Sequence, residues 1–474
     1  MGNSPFFGIE VGLSALQAQQ RALEVTSHNI ANANTPGYSR QTLELTASDP
    51  YTVPSAMRPG GVPGQIGTGV TQLEIRRFHD NFLDLQYRNE NASYGYWDHR
   101  GSVLHQVEGI FTEPSDAGIR AVLDKFWESL QGLTNDPSSF AARSLARQSG
   151  VAVADAFNHT YRQLADLRAN LQEDAQTKVG EVNVMASEIA SLNVQISQAR
   201  SVGDNPNDLM DKRDHLLDNL SQVVGIRSAA GKEGSVSVYL GGVPLVEGFT
   251  SHTLSLSDQI GSPVIWDHIN QPAVIGSGEL DSVLTLRDQT VPQYLDQLDS
   301  LAYSMATAFN AIHTSGYDAN GAPGGPFFDG VTTQAGAAGT IQVTPAIVND
   351  PINGVNLIAA AQSLNTDGTP RSDDGRNAQA LADSIKNGPT GDQYRAIISG
   401  LGVAGQEADR MGDNQQLLLR AIENQRDAVS GVSLDEEMTQ MIKYQQGYAA
   451  AARVITAVDE MLDTIINRLG VVGR

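Results

Sequence analysis

Histidines and carboxylates are the residues of this 474-residue chain whose types suit metal binding or acid–base catalysis. His99, His105 and Asp98 lie close together in a segment with helical character. A separation of six residues puts the two histidines on different faces of a helix, so they are not spaced to hold one ion. The absence of cysteine excludes disulfides, thiol catalysis and cysteine-based zinc sites. The carboxylates are scattered, so we predict no metal site and no catalytic residues.

Glycine-rich segments that resemble phosphate or calcium loops depart from the required patterns. Gly225 and Gly231 are one residue too far apart for a phosphate-binding loop, and Glu233 stands where serine or threonine is needed. Asp318–Gly321 has the residue types of a calcium loop, but Pro323 replaces the glycine required at the sixth position. Those residue types favour a turn. The Gly-x-Ser-x-Gly turn of α/β-hydrolases does not occur. We therefore predict no cofactor.

The charge and hydropathy of the chain limit its partners. The chain has 31 Lys and Arg against 54 Asp and Glu, which gives a formal net charge of −23. Such an acidic balance argues against nucleic acid or an acidic membrane as a partner, because phosphate contacts need lysine and arginine. No apolar run approaches the ~18 residues of a membrane span. The N-terminus also lacks the basic and apolar regions of an ordinary secretory signal.

The elements with the clearest pattern lie at the two ends of the chain. In the stretch Gly8–Gln41, apolar residues recur every seven positions from Ile9 to Ile30, and the same spacing recurs from Ser433 onward, which predicts helices that keep one face on a partner. The first pattern stops at Asn32–Gly37, where Pro36-Gly37 predicts a turn followed by extended chain. Because each stripe is narrow, we expect the two terminal helices to pack together as an assembly seam. The predicted seam consists of Ile9, Leu13, Leu16, Leu23, Ile30, Leu434, Met438, Met441, Tyr448, Ala452, Ile455, Leu462, Ile466 and Leu469. Periodicity alone leaves two alternatives open, an internal bundle or a contact between subunits.

The residues between the two ends predict a long helical body. Ser138–Ala199 contains no proline and carries apolar residues at 3–4 spacing, which predicts a helix approaching ~90 Å. Residues 228–287 change to an alternating pattern that predicts a small inserted β subdomain. The expected fold is mainly α with a small β part. Residues 1–48 and 432–474 would form a terminal coiled-coil assembly domain, and residues 49–431 an elongated helical-bundle body.

Four segments of the chain resemble the flagellar axial proteins of the rod and hook. Both ends carry the general resemblance, in ANANTPGYSRQ near the start and SGVSLDEEMTQMIKYQQGYAAAARVITAVDEMLDTIINRLG near the end. Two central segments, DLMDKRDHLL and GYDANGAPGGPFF, are similar to the members found at the hook–filament junction. Many members carry an extra β domain soon after the second of these segments. Here the chain passes quickly to IVNDPINGVNLIAAA, which indicates a slimmer member.

The resemblance implies a structural, non-enzymatic subunit of the bacterial flagellum, forming a ring or short helical layer between hook and filament. Its implied partners are copies of itself, the hook protein, hook-associated protein 3 (the second junction protein) and a flagellar export chaperone. The implied location is extracellular, reached by type III export without a cleaved signal peptide. Another axial component, such as a hook or distal-rod subunit, is an alternative, although these usually lack the two central segments. A secreted adhesin or enzyme on a helical scaffold is an alternative of a different class.

Overall fold

The computed structural model describes residues 6–50, 65, 67–111, 118–369 and 371–468. The fold is mainly α with a small β part, as predicted. The helices are α1 (Phe7–Asn32), α2 (Asn81–Phe111), α3 (Ile119–Asn135), α4 (Phe140–Ser201), α5 (Asn207–Val223), α6 (Glu279–Thr285), α7 (Val291–Ser315), α8 (Ala337–Thr340), α9 (Pro345–Val348), α10 (Arg376–Lys386), α11 (Pro389–Ser430) and α12 (Leu434–Asp463). Short 3₁₀ turns span Lys232–Gly234 and Gly354–Leu357, and π turns span Leu286–Thr290 and Thr464–Arg468.

The strands are short and form antiparallel sheets. They are β1 (Gln41–Ala47), β2 (Val70–Arg77), β3 (Ile226–Ala230), β4 (Val236–Leu240), β5 (Val243–Glu247), β6 (Thr250–Ser251), β7 (Leu254–Ser255), β8 (Ile265–Trp266), β9 (Gln271–Pro272), β10 (Phe328–Asp329) and β11 (Gln342–Val343). The chain divides into two compact units. The first comprises Met1–Asn91, Val182–Thr253 and Gln416–Arg474, and the second comprises Ala92–Glu181 and Leu254–Gln415.

The first unit contains both terminal helices. Helix α1 packs against α12 and against the β1–β2 hairpin, in which Gln41 pairs with Arg77. A four-stranded sheet in the order β3-β4-β5-β6 lies in the same unit. The amide of Asn193 on α4 donates to the carbonyl oxygens of Val236 and Gly248, at 2.8 and 2.6 Å, and so fixes this sheet on its helix. The terminal helices therefore share one unit with the helix α5 that carries DLMDKRDHLL.

The second unit has an aromatic core. The rings of Phe126, Phe309, Phe327 and Phe328 pack with centroid separations between 4.9 and 6.1 Å. His313 is fully buried beside them, with Nδ1 at 2.6 Å from the carbonyl oxygen of Gly325 and Nε2 at 3.0 Å from the backbone nitrogen of Ala359. The GYDANGAPGGPFF segment thus supplies two core phenylalanines and the carbonyl that orients a buried histidine.

The predicted β subdomain at residues 228–287 forms two separate sheets. Strands β3 to β6 make the four-stranded sheet of the first unit, and β7, β8 and β9 make a three-stranded sheet in the second. An alternating pattern identifies strands, but it does not determine which strands pair. The wider division into a terminal assembly domain (1–48 and 432–474) and a body (49–431) stays a prediction.

Candidate assembly site

Small residues bring the two terminal helices into close contact. A Cβ atom on Gly12 would lie 2.8 Å from Cγ1 of Ile455, and one on Gly8 would lie 3.0 Å from Cγ2 of Val458. At the other end, Asn29 hydrogen-bonds Glu437 at 2.9 Å. Rising numbers on α1 therefore meet falling numbers on α12, so the two helices are antiparallel. Glycine allows this approach because it places no side chain of its own against Ile455 and Val458.

The predicted seam residues differ in burial in the single chain. Leu462 is buried, and seven others are half-buried: Ile9, Leu16, Leu23, Ile30, Met441, Ala452 and Ile455, the last of which lies against Gly12. Leu13, Leu434, Met438, Tyr448 and Ile466 are exposed, and Leu469 lies outside the described residues. The buried residues of α1 are instead Gly12, Ala18, Ala22, Val25, Thr26 and Asn29.

In the single chain the predicted seam thus contributes Ile455 and the buried Leu462, while five of its residues are exposed. The seven-residue repeat of Ile9, Leu16, Leu23 and Ile30 is half-buried, and Leu13 is exposed. Glycine and alanine add little to an apolar pattern yet permit close packing, so the pattern did not single out Gly12, Ala18 and Ala22. A role for the predicted stripe in contacts between subunits stays a prediction.

A polar cluster joins the ANANTPGYSRQ segment to the start of α12. The buried carboxylate of Glu437 accepts hydrogen bonds from Asn29 at 2.9 Å and from Nε of Arg40 at 2.7 Å. Asn29 in turn accepts from the Tyr38 hydroxyl at 2.7 Å and from the backbone of Gln41 at 3.0 Å. Burial and nearby carboxylates raise the pKa of Tyr38, which keeps the hydroxyl protonated as a donor. The two family-like ends are therefore bound to each other directly.

A second cluster is centred on the aspartates of α5. Arg77 at the end of β2 donates to Asp211 at 2.6 Å and lies 2.7 Å from Asp214. Asp218 accepts from Arg88 of α2 at 2.7 Å and from Arg426 of α11 at 2.9 Å. Burial raises the pKa of Asp211 despite the opposing charge of Arg77. This cluster holds four separate chain segments together inside the first unit.

Asp84 of α2 belongs to the same cluster. Burial alone would raise its pKa, but the hydrogen bond with His79 and the charges of Arg426 and Arg88 outweigh burial and lower it. Sequence reasoning recognised DLMDKRDHLL only as a family-like segment and missed these ion pairs. The signal for them was the spacing of the aspartates at 208, 211, 214 and 218, which puts their carboxylates on one side of a helix.

Comparisons with known proteins match both the ends and the middle of the chain. A family model described as the helical domain of flagellar hook-associated protein FlgK matches residues 104–328. Models described as flagella basal body rod protein and as the C-terminal part of basal body rod FlgEFG protein match residues 9–38 and 424–469. Flagellar hook-associated protein 1 of Bacillus subtilis is 38% identical to the chain, over 99% of the chain and 100% of that relative. This chain belongs to the flagellar hook-associated protein 1 family.

Further similarities agree with membership of the hook-associated protein 1 family. The Salmonella typhimurium member is 27% identical over 97% of this chain and 99% of its own length. The solved flagellar hook junction protein FlgK from Burkholderia pseudomallei covers 73% of this chain with a TM-score of 0.62. At 17% identity, that similarity supports the fold alone. The chain is a hook-associated structural component of the bacterial flagellum. Because it belongs to this family, the alternatives of a rod subunit and of an adhesin are set aside.

The residues whose types suit metal binding or catalysis have structural roles in this family member. His99 contacts Asp174 and Ser282, while His105 contacts Glu108 and Asp409. The side chain of Asp318 accepts from backbone nitrogens two and four residues later, at 2.8 Å each, and so closes a turn. Among the described residues, no group of three or more His, Asp or Glu is placed to hold a metal ion. No helix in the described part of the chain is long and apolar enough to cross a membrane.

Proposed function

We propose that this chain forms the layer that joins hook to filament, built from copies of itself through α1 and α12. The observation that carries this proposal is the exposed apolar surface of the terminal helices. Met438 is 57% exposed and Leu13 is 45% exposed in the single chain. Further exposed apolar residues on the C-terminal helical segment are Leu434, Ile442, Val454, Met461, Ile465 and Ile466.

Burial of these side chains between subunits would stabilise a layer. Full burial of one Leu, Ile or Met side chain contributes about 1.5–3 kcal/mol, so several such residues per subunit suffice for a firm contact. The contact within one chain does not use them, because α1 and α12 already meet through Gly8 and Gly12. Antiparallel pairing through small residues thus leaves an apolar surface for neighbouring copies. Residues 1–48 and 432–474 would form this assembly domain, with 49–431 as the body around it.

The remaining partners follow from family membership. The hook protein would lie on one side of the layer and hook-associated protein 3 on the other. An export chaperone would bind the chain before secretion, and export through the type III channel without a cleaved signal peptide would deliver it outside the cell. Each of these steps is part of the proposal.

A matched pair of substitutions on α12 tests the proposal. Met438→Asp introduces a charge into the exposed apolar surface, and Gln446→Asp introduces the same charge at an exposed polar position. Neither change touches the core, so both isolated variants should keep their unfolding free energy within about 0.5 kcal/mol. In a strain lacking its own hook-associated protein 1, the wild-type chain and Gln446→Asp should restore filaments.

Met438→Asp should be exported yet leave hooks without filaments. Filament subunits should then appear in the medium, and immunoblots of the medium would separate failed assembly from failed export. Normal filaments on cells carrying Met438→Asp would remove this surface from the assembly. Failure of the wild-type chain to restore filaments would reject the proposed function itself.

A further inference from the structure

An arginine-rich cleft opens inside the first unit, on a chain whose net charge is −23. It has a volume of roughly 600 Å³ and lies beside α5, the end of α4 and the turn between β3 and β4. Its charged lining contains three carboxylates, Glu74, Asp84 and Asp214, and five arginines, Arg76, Arg77, Arg88, Arg200 and Arg213. The lining of the cleft therefore contains two more arginines than carboxylates, within an acidic protein.

Three of the five arginines already have carboxylate partners. Arg76 pairs with Glu44, Arg77 with Asp211 and Asp214, and Arg88 with Asp218. Within the described parts of the chain, neither Arg200 nor Arg213 has a carboxylate within 4 Å. These two arginines are therefore the ones that can accept an additional anion.

Of these two arginines, Arg213 gives the stronger indication that an anionic partner is missing. It is only 5% exposed, and Nη1 donates to Asn193 at 3.1 Å and to the Gly234 carbonyl at 2.6 Å. Its Nε–H has no acceptor in the part of the chain that the structure describes. Burial and the charges of Arg77, Arg200 and Arg88 lower its pKa to about 10 despite the opposing charge of Asp214. A buried cation with an unused donor is unfavourable until an anion binds beside it.

Arg200 lies next to Arg213 at the rim of the cleft. It is exposed at the end of α4, and its guanidinium lies 3.4 Å from the sulfur of Met210. A Cβ atom on Gly234 would lie 2.8 Å from Nη1 of Arg200, and Arg213 binds the carbonyl of that same glycine. Both guanidinium groups thus flank Gly234, whose φ of 79° is one that glycine adopts readily.

We propose that this cleft binds an Asp or Glu side chain of a second copy of this chain, held by Arg200 and Arg213. The proposal rests on the proposed function, in which copies assemble into a layer. Guanidinium groups suit carboxylates because their planar N–H donors match the two oxygens. A second copy supplies such groups in excess, with 54 acidic residues per chain. Glu74, an acid in the lining of the cleft, already accepts from Asn205 at 2.7 Å.

The first test measures binding of a short acidic peptide to the full-length chain. The probe is a peptide of four glutamates, and a peptide of four glutamines at the same ionic strength is its neutral control. Isothermal titration should detect binding of the glutamate peptide only. Arg200→Gln should weaken that binding roughly 10-fold or more, as expected for loss of a charge-assisted hydrogen bond. Arg213→Lys keeps the charge but loses the planar donors, so it should also weaken binding.

Two controls separate the site from general charge effects. Arg395→Gln removes an exposed arginine of the second unit, which pairs with Asp392, and should leave peptide binding unchanged. Arg200 makes no ion pair within the described residues, so Arg200→Gln should keep the wild-type thermal unfolding curve. If Arg213→Lys fails to fold, Arg200→Gln decides the test. Absence of binding to the wild-type chain, or equal binding to Arg200→Gln, would overturn the site.

The second test identifies the source of the carboxylate. Because the chain has no cysteine, Ala230→Cys places a single thiol on the exposed cleft lining for a benzophenone cross-linker. In assembled flagella we expect cross-links to acidic segments of a second copy. Cross-links only to another flagellar protein, or none, would reject the second copy. The peptide titration does not depend on filament restoration, so failure of this site and failure of the proposed function give different results.

Discussion

Gly12 sets the separation between α1 and α12 and offers a quantitative test of the terminal contact. Its substitution by alanine would place Cβ 2.8 Å from Cγ1 of Ile455, whereas ordinary contacts begin near 3.4 Å, so the Ile455 side chain or one of the two helices must shift by ~0.6 Å. Overpacking of this kind costs about 1–3 kcal/mol. Alanine also favours helix over glycine by about 1 kcal/mol. We therefore expect Gly12→Ala to destabilise the α1–α12 contact by about 1 kcal/mol, and the larger Gly12→Val by about 3 kcal/mol.

A glycine-to-alanine substitution should stabilise the protein, rather than destabilise it, at a position where the added Cβ makes no contact. Gly180 lies within α4, and an added Cβ there would meet nothing within 4 Å. Gly180→Ala should therefore stabilise α4 by about 1 kcal/mol through helix propensity alone. Amide hydrogen exchange followed by mass spectrometry reports local opening of each helix. Exchange in α1 should be roughly fivefold faster in Gly12→Ala, and exchange around Gly180 should slow by a similar factor.

Removal of the opposing side chain tests the cause. Ile455→Ala deletes the atom with which the Cβ of Gly12→Ala would clash. The double variant should therefore lose about 1 kcal/mol less stability than the sum of the losses in the two single variants. Additive effects would show that the two residues do not meet. Slower exchange in α1 of Gly12→Ala would refute the close approach of the helices.

Two further predictions concern buried charges. His313 has its pKa lowered to about 4 by burial, so its neutral form stabilises the fold above pH 6.5 and this contribution is lost as pH falls toward 4. At about 1.4 kcal/mol per pKa unit, urea titrations should show a loss of about 3 kcal/mol over that range that His313→Gln lacks; parallel curves would contradict this. Arg77→Met leaves Asp211 and Asp214 without their shared cation and should cost about 3–5 kcal/mol. Arg76→Met, which breaks only an exposed pair with Glu44, should cost less than about 1 kcal/mol; equal losses would contradict the burial argument.

Local pattern predicted the helices and their ends closely. The proline-free segment Ser138–Ala199 became α4 at Phe140–Ser201, and the helix predicted from Ser433 onward begins at Leu434 as α12. Helix α1 ends at Asn32, just before the predicted Pro36-Gly37 turn, and the following extended chain contains β1. These features are local, because proline geometry and 3–4 spacing act within a few residues of each other. The family resemblance was equally local, in four short segments, and the comparisons confirm it.

Composition by itself limited the chemistry open to the chain. Without cysteine, and with its carboxylates scattered, the chain offered no pattern for thiol or paired acid–base chemistry. What composition left open was the arrangement of its many charges. Arg77 and Asp211 are 134 residues apart in sequence, and Asn29 and Glu437 are 408 apart, yet each pair is hydrogen-bonded. Pairs this distant are brought together only by the path of the whole chain.

Tertiary structure alone decided which face of each terminal helix meets the other. The apolar repeat favoured Leu16 and Leu23, whereas Gly8 and Gly12 are positions at which an added Cβ would clash with side chains of α12. Hydropathy patterns rank residues by their hydrophobicity, whereas the distance between two helices depends on the volume of the side chains that lie between them. Glycine adds almost nothing to a hydropathy pattern, yet its small volume allows two helices to lie close together. For this reason the sequence by itself determined that the terminal segments are helices with a narrow apolar stripe, and only the folded chain showed that Gly8 and Gly12 of α1 lie against Val458 and Ile455 of α12.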